Sequence, residues 1–116
     1  MKKTIFLDID GCILRHFGNL STQMTTEAEL LPGVLDKINE WDIAGYQIIL
    51  VTGRKEPMRK ITETQLLSLG VFYDQLVMGV NRGERVIIND LKAGSDTPTA
   101  SAICIRRNEG LSNIKV

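Results

Sequence analysis

The fold of this chain is decided by residues 4–11, which read TIFLDIDG. The apolar run ends at carboxylates, as a buried strand of a parallel sheet does where it reaches the sheet edge. Side chains two apart on a strand point to the same side, so Asp8 and Asp10 lie together, and Gly11 lets the backbone turn sharply away. Two carboxylates this close repel each other unless a cation is bound, and Mg²⁺ takes such oxygen ligands. We therefore expect a magnesium site here.

Outward from this strand, the sequence alternates between strand and helix patterns. The polar stretch 15–29 predicts a loop or flap, Pro32 begins a helix with apolar residues at helical spacing, and Pro57 begins another that Gly70 ends. Further strands are predicted at 47–51, 75–78, 85–89 and 102–106. This order predicts an α/β fold, a Rossmann-like three-layer sandwich with a parallel sheet of about five strands. A length of 116 residues fits a single domain, residues 1–116.

Polar residues follow two more of the predicted strands. In open parallel sheets, ligands bind beyond the carboxyl ends of the strands, so residues far apart in sequence meet at one edge. Thr52, Gly53 and Arg54 offer a hydroxyl, free backbone N–H groups and a guanidinium, which together suit a phosphate group. Asn89 ends the predicted 85–89 strand, Asp90 follows it, and this pair offers a further oxygen ligand for the metal. The sequence therefore predicts a metal and phosphate site at this edge.

Composition and charge exclude several classes of protein. Lys plus Arg and Asp plus Glu both total 14, so the net charge is zero and bulk nucleic-acid binding is not expected. No apolar run reaches the length of a membrane span. The two cysteines, Cys12 and Cys104, lack metal-ligand spacing, which favours free thiols in a reducing cytoplasm. We expect a cytoplasmic protein.

The three polar groups together resemble the motifs of the haloacid dehalogenase superfamily. Residues 8–11, DIDG, match its first motif, residues 52–54, TGR, its second, and residues 89–90, ND, its acidic fourth motif. The phrase LPGV at 31–34 is also typical of the family. The resemblance covers roughly residues 4–106 and implies a Mg²⁺-dependent phosphatase.

The resemblance implies a role for each matched residue. Asp8 would be the nucleophile that forms an aspartyl-phosphate, and its other oxygen would bind Mg²⁺. Asp10 would protonate the leaving alcohol and then activate water, with its backbone carbonyl on the metal. Thr52 would hydrogen-bond the transferred phosphoryl group, and Asp90 would complete the metal site.

The third motif of the family is a lysine that neutralises the nucleophile and the phosphate, and several basic residues are candidates for this role. Arg82 is favoured because it lies in a glycine-flanked polar turn shortly before the 85–89 strand, and Lys92 is close behind. Arg85 and Lys60 are further candidates. Cys12 stands where the family usually has Thr or Val, and we expect no catalytic role for it.

The stretches between the motifs are too short for a folded cap domain, so the resemblance implies a capless member with an open site. Such a site suits a bulky substrate or closure by a neighbouring subunit, which makes a homo-oligomer a reasonable hypothesis. We predict a phosphomonoesterase acting on a phosphorylated small metabolite, such as a sugar phosphate. Two alternatives stay open: a phosphatase acting on nucleic-acid phosphate ends, and a non-catalytic binding module that retains the fold.

Overall fold

The computed structural model describes all residues from 1 to 116. Three strands and three α-helices alternate over the first two thirds of the chain. In chain order they are β1 (Thr4–Asp8), α1 (Leu20–Thr25), α2 (Val34–Ile43), β2 (Gln47–Val51), α3 (Arg59–Ser68) and β3 (Gln75–Val77), with a short 3₁₀ turn, Glu56–Met58, before α3. None of the helices has the length and apolar content that crossing a membrane requires.

The sheet is parallel throughout, with the strand order β1-β2-β3. The predicted parallel α/β architecture is therefore confirmed, but the expected number of about five strands is wrong. Residues 85–89 and 102–106 form no strand, and the outer edge of β1 pairs with no strand. Local propensity alone does not make a strand, because the backbone needs a partner for its hydrogen bonds.

One face of the sheet carries the hydrophobic core. Ile48 and Leu50 on β2 point into it, and the α2 residues Val34, Ile38 and Trp41 cover them at the predicted helical spacing. Leu66 is the core residue that α3 contributes. This packing fixes β2 in the centre of the sheet, so that the loop after β2 lies beside the end of β1.

The opposite face of the sheet remains largely open. Phe6 on β1 and Val77 on β3 are exposed there by 56% and 42%. The expected third layer is not formed, because the chain contains no helix after β3. Residues 81–104, here called the exposed arm, are solvent-accessible at every position except the partly covered Ser95.

The C-terminal segment returns to the body of the protein after the exposed arm. Leu111 enters the core, and its N–H donates to the carbonyl of Pro32 at 2.8 Å. Asn108 braces the loop after β1, since its side chain accepts from the N–H of His16 at 2.7 Å and donates to the His16 carbonyl at 3.2 Å. The C-terminus thereby fixes the loop that follows the two aspartates.

Two adjacent leucines on α3 test this account of the core. Leu66 is fully buried and Leu67 is 80% exposed. We expect Leu66→Ala to lower the free energy of unfolding by about 3 kcal/mol, because it removes buried methyl groups and leaves a cavity. Leu67→Ala should change it by less than about 0.5 kcal/mol. Urea unfolding of both variants measures the difference, and equal losses would contradict this packing.

Candidate active site

The site lies at the carboxyl edge of the sheet. Asp8, the last residue of β1, is in register with Val51, the last residue of β2. Thr52 therefore begins the loop beside Asp8, and Asp10 lies two residues beyond β1 in the neighbouring turn. The fold brings the first and second predicted motifs together at one edge, as the sequence predicts.

Asp8 is half-buried at the end of its strand. Its Oδ1 accepts a hydrogen bond from the N–H of Ile9 at 2.9 Å. Burial raises the pKa of Asp8 above its ordinary value, and the charge of Asp10 adds to this, whereas the Ile9 N–H and the positive charges of Arg85 and His16 oppose it. Asp8 is thus a carboxylate whose negative charge the fold leaves incompletely compensated, which suits a nucleophile or a cation ligand.

Asp10 is held by a bidentate ion pair with Arg54. The guanidinium donates from Nε to Oδ2 at 2.9 Å and from Nη2 to Oδ1 at 2.8 Å. Gln23 adds a third donor, with its Nε2 2.7 Å from Oδ1. A carboxylate offers about four lone-pair positions, so about one remains, and it lies on Oδ2.

The Arg54 side chain is completely buried behind Asp10. Its Nη1 donates to Thr62 at 3.0 Å and to Gln65 at 2.7 Å, both on α3. The guanidinium thus faces Asp10 and α3, with four of its five N–H groups donating to these partners. A contact between Arg54 and a phosphate stays a prediction, whereas its contact with Asp10 is part of the structure.

Thr52 and Gly53 supply two donors of the second motif that have no partner within the protein, although Thr52 itself is buried. The Thr52 hydroxyl accepts from the N–H of Arg54 at 3.0 Å, and its own proton has no acceptor within the protein. The Gly53 N–H also has no partner. A Cβ at Gly53 would come within 3.3 Å of the Val80 carbonyl, so a side chain here would crowd the loop after β3. These two free donors suit an anionic oxygen.

Four basic side chains lie near Asp8, Gly11 or Gly53. Arg85 and His16 are the ones whose positive charges lower the pKa of Asp8. Arg107 packs against Gly11, where a Cβ would lie 3.2 Å from its Cγ. Arg82 lies beside Gly53, its Cγ 3.7 Å from the position of a Cβ there. Basic side chains are therefore concentrated at this edge although the chain as a whole is neutral.

Four residues are candidates for the third-motif cation. Arg85, rather than the favoured Arg82, is the candidate whose charge acts on Asp8. Lys92 pairs loosely with Asp90, at 3.9 Å, and Lys60 is exposed on α3. The assignment of this role stays a prediction, with Arg85 the better placed residue.

The predicted fourth motif lies in the exposed arm. Asn89 donates to the Thr99 hydroxyl at 2.8 Å, and the Asp90 side chain is 78% exposed. Asp90 is not among the charges that act on Asp8, and no three His, Cys, Asp or Glu side chains are arranged so that they could hold a metal ion. The structure therefore brings Asp8 and Asp10 together but does not bring Asp90 to them.

The residues present fit a hard cation in part. The Asp8 carboxylate has an oxygen without a protein partner, and the Asp10 backbone carbonyl accepts no hydrogen bond. Both atoms are oxygen ligands of the kind that Mg²⁺ takes, and it usually keeps several waters as well. A site built from these two oxygens, water and substrate is chemically reasonable, and a third protein ligand requires movement of the exposed arm.

Cys12 follows the first motif but is not a reactive thiol. Burial and the nearby Asp8 carboxylate raise the pKa of the Cys12 thiol to about 11. A thiol rather than a thiolate is therefore present at neutral pH, which removes its nucleophilicity. The expectation that Cys12 is not catalytic agrees with this environment.

The sequence predictions missed the groups that hold Asp10 in place. Gln23 lies in the predicted flap, and Thr62 and Gln65 lie on α3, where they read as ordinary polar helix residues. A weak signal was available for α3, since Thr62 and Gln65 are three apart and share one face with the core residue Leu66. No sequence signal identifies Gln23, because its position depends on how the flap folds back.

Comparison with known proteins supports the fold and adds one functional clue. No protein-family model and no curated protein matches the chain. A chain in the structure of the Pnkp1/Rnl/Hen1 complex matches with a TM-score of 0.59 and 26% identity, over 73% of this chain and 30% of that one. A chain of the Pnkp1/Rnl/Hen1 RNA repair complex gives 0.58 and 27%, over 72% and 27%. This chain thus spans less than a third of either neighbour.

A third solved structure, a target protein from Vibrio cholerae, has nearly the same length as this chain. It matches with a TM-score of 0.57 and 18% identity, over 98% of this chain and 90% of its own. At that identity the match supports the fold alone. The RNA repair neighbours are consistent with the haloacid dehalogenase-like superfamily that the motifs resemble.

Removal of the Arg54 guanidinium tests the central ion pair. We expect Arg54→Ala to lower the free energy of unfolding by about 3–5 kcal/mol, because it leaves the Asp10 carboxylate and two α3 side chains without their buried donor. Arg54→Lys should recover part of this, since lysine supplies the charge but not the two parallel donors. Urea unfolding provides the measurement.

The control for Arg54 is Arg59→Ala, which breaks an exposed bidentate pair with Glu56 at 2.9 Å. Its effect should be much smaller than that of Arg54→Ala, because solvent screens an exposed pair. Equal effects of the two variants would contradict the central role of the Arg54–Asp10 pair.

The raised pKa of Asp8 predicts a pH-dependent effect on stability. Since the folded state binds the Asp8 proton more tightly than the unfolded state, the resulting stability is present in acid and is lost as the pH rises through the raised pKa. Asp8→Asn should therefore gain stability relative to the wild type on going from pH 4 to pH 7. Thermal unfolding with EDTA measures this, and the exposed Asp96→Asn serves as the control. A stability difference between Asp8→Asn and the wild type that does not change with pH would contradict the raised pKa of Asp8.

Proposed function

We propose that this protein is a phosphomonoesterase that forms an aspartyl-phosphate on Asp8. The observation that carries the proposal is the pairing of two unlike carboxylates at one strand end. Asp8 keeps an oxygen without a protein partner, whereas Asp10 is fixed by three donors from Arg54 and Gln23. Two carboxylates in different environments suit two different roles.

In the first step, an Asp8 oxygen attacks phosphorus, and the bond from phosphorus to the ester oxygen breaks. Asp10 enters this step with a proton on the free lone pair of Oδ2 and gives that proton to the departing alcohol, which leaves Asp10 as the carboxylate that acts in the second step. In the second step, water attacks the phosphorus of the aspartyl-phosphate, Asp10 takes a proton from that water, and inorganic phosphate leaves as the Asp8 carboxylate re-forms. Thr52 and Gly53 donate to phosphoryl oxygens in both steps.

Magnesium is proposed to bind at the Asp8 carboxylate and the Asp10 backbone carbonyl. When bound, the cation would neutralise negative charge on the transferring phosphoryl group. We further propose that Asp90 becomes a ligand when residues 85–89 pair with the open outer edge of β1. Two features favour this pairing: the arm residues Val86 and Ile88 are exposed by 71% and 93%, and the edge of β1 has free backbone groups.

For the substrate, we propose a nucleic-acid phosphate end. The charges around Asp8 supply cations for the phosphodiesters next to a terminal phosphate, and chains with 26% and 27% identity come from complexes that include an RNA repair complex. A phosphorylated small metabolite, such as a sugar phosphate, is the second candidate. It is compatible with the open site and the zero net charge.

Phosphate release from para-nitrophenyl phosphate tests the chemistry. We expect turnover with Mg²⁺, loss of it with EDTA, and a decrease of at least about 10³-fold in Asp8→Asn, because the nucleophile is gone. Asp96→Asn, a matched change on the exposed arm, should keep full activity. Retained activity in Asp8→Asn would overturn the proposal, and no turnover on any substrate would favour the non-catalytic binding module.

The same assay on two substrate classes separates the candidates. An oligonucleotide with a terminal phosphate should be hydrolysed with a higher kcat/KM than a sugar phosphate, and only the oligonucleotide should lose much of this value as salt rises. Arg107→Ala should reduce the preference, because Arg107 lies beside Gly11 outside the Asp8–Asp10 pair. A preference for the sugar phosphate that salt does not change would favour the small metabolite.

A further inference from the structure

Gln23 is an unusual residue for a short surface helix. It is the only buried residue of α1, at 4% exposure, and it is polar. Burial of an amide is costly unless its hydrogen bonds are all made, and an apolar residue would fill the same space without that cost. The position of Gln23 therefore requires an explanation other than packing.

The Gln23 side chain joins three parts of the site. Its Nε2 donates to Asp10 Oδ1 at 2.7 Å and to the carbonyl of Arg15 at 2.6 Å. Its Oε1 accepts from the N–H of Phe17 at 2.8 Å. The amide thus closes the loop at residues 15–17 and at the same time contacts the carboxylate of Asp10.

The hydrogen bond from Gln23 determines which Asp10 oxygen remains available. Oδ1 accepts from both Gln23 and Arg54, whereas Oδ2 accepts from Arg54 alone. A second contact links Gln23 to Arg54. Gln65 accepts a hydrogen bond from Arg54 and donates one to the backbone carbonyl of Gln23 at 3.4 Å. Without the Gln23 amide, Oδ1 and Oδ2 would become nearly equivalent in their number of donors.

We propose that Gln23 is a positioning residue, which directs Oδ2 of Asp10 toward the reacting ester and makes this orientation depend on the folded flap. This inference rests on the proposed function, because it assigns Gln23 a role in the proton transfer by Asp10. Gln23 itself touches neither the substrate nor the reacting atoms. Its effect should therefore appear only where the proton from Asp10 matters.

The leaving group of the substrate provides the test. An alkyl phosphate needs a proton on its departing oxygen, whereas para-nitrophenolate leaves readily without one. The ratio kcat/KM reports phosphoryl transfer to Asp8, the step in which the leaving group departs. Gln23→Met, which keeps the length of the side chain but removes the amide, should lower kcat/KM about tenfold for an alkyl phosphate and less than about twofold for para-nitrophenyl phosphate.

Gln47→Met is the matched control, because it makes the same substitution at an exposed position on β2, and it should leave both kcat/KM values unchanged. Asn19→Ala weakens the flap, because Asn19 caps α1 by accepting from the N–H of Thr22 at 2.8 Å. Since the orientation of Asp10 depends on the folded flap, this variant should lower kcat/KM more for the alkyl phosphate than for para-nitrophenyl phosphate. A Gln23→Met variant that slows both substrates equally would overturn the inference while leaving the proposed function intact.

A measurement without substrate tests the coupling independently. The Arg54 Nε–H, which donates to Asp10 Oδ2, should exchange slowly with solvent in the wild type. Its exchange, followed by NMR, should accelerate in Gln23→Met and stay unchanged in Gln47→Met, an exposed position on β2. Unchanged exchange in Gln23→Met would overturn the inference whatever the activity. Absence of turnover in the wild type would overturn the proposed function, and the Arg54 signal would then decide the coupling alone.

Discussion

The bidentate ion pair between Arg54 and Asp10 is the interaction on which the rest of the site depends. It connects the loop after β2 to the turn after β1, at 2.8 and 2.9 Å, and its other donors reach α3. Because Arg54 is fully buried, its charge needs the Asp10 carboxylate, and its Nη1 donors need Thr62 and Gln65. The pair therefore aligns two strand ends, a helix and, through Gln23, the flap.

The two aspartates are the same type of residue, but this arrangement places them in different environments. The Asp10 carboxylate accepts three hydrogen bonds from side-chain donors, whereas the Asp8 carboxylate accepts one from a backbone N–H. Burial also disfavours the charged form of Asp8 and so raises its pKa. The fold tolerates the cost of a poorly compensated Asp8 because the neighbouring pair and the core beneath β2 supply stability. Such a local cost is common where a group is kept for chemistry.

The exposed arm is the part of the chain that the core does not organise. Its apolar residues face solvent, and the outer edge of β1 beside it pairs with no strand. Arg85, at the start of the arm, lies close enough for its charge to act on Asp8, whereas Asp90 does not. A cation bound at the site would compensate the charge of Asp8. A strand paired with the outer edge of β1 would give the free backbone groups of that edge their hydrogen bonds.

By itself, the sequence determined the three strands β1, β2 and β3, the apolar spacing of α2, and the placement of Asp8, Asp10 and Thr52 at strand ends. These follow from local periodicity and from the rule that parallel strands present their carboxyl ends at one edge. Only the tertiary structure decided that Arg54 faces Asp10, that Gln23 joins them, and that residues 85–89 remain unpaired. Each of these depends on partners distant in sequence: Arg54 and Asp10 are 44 residues apart, and a strand exists only where another backbone meets it.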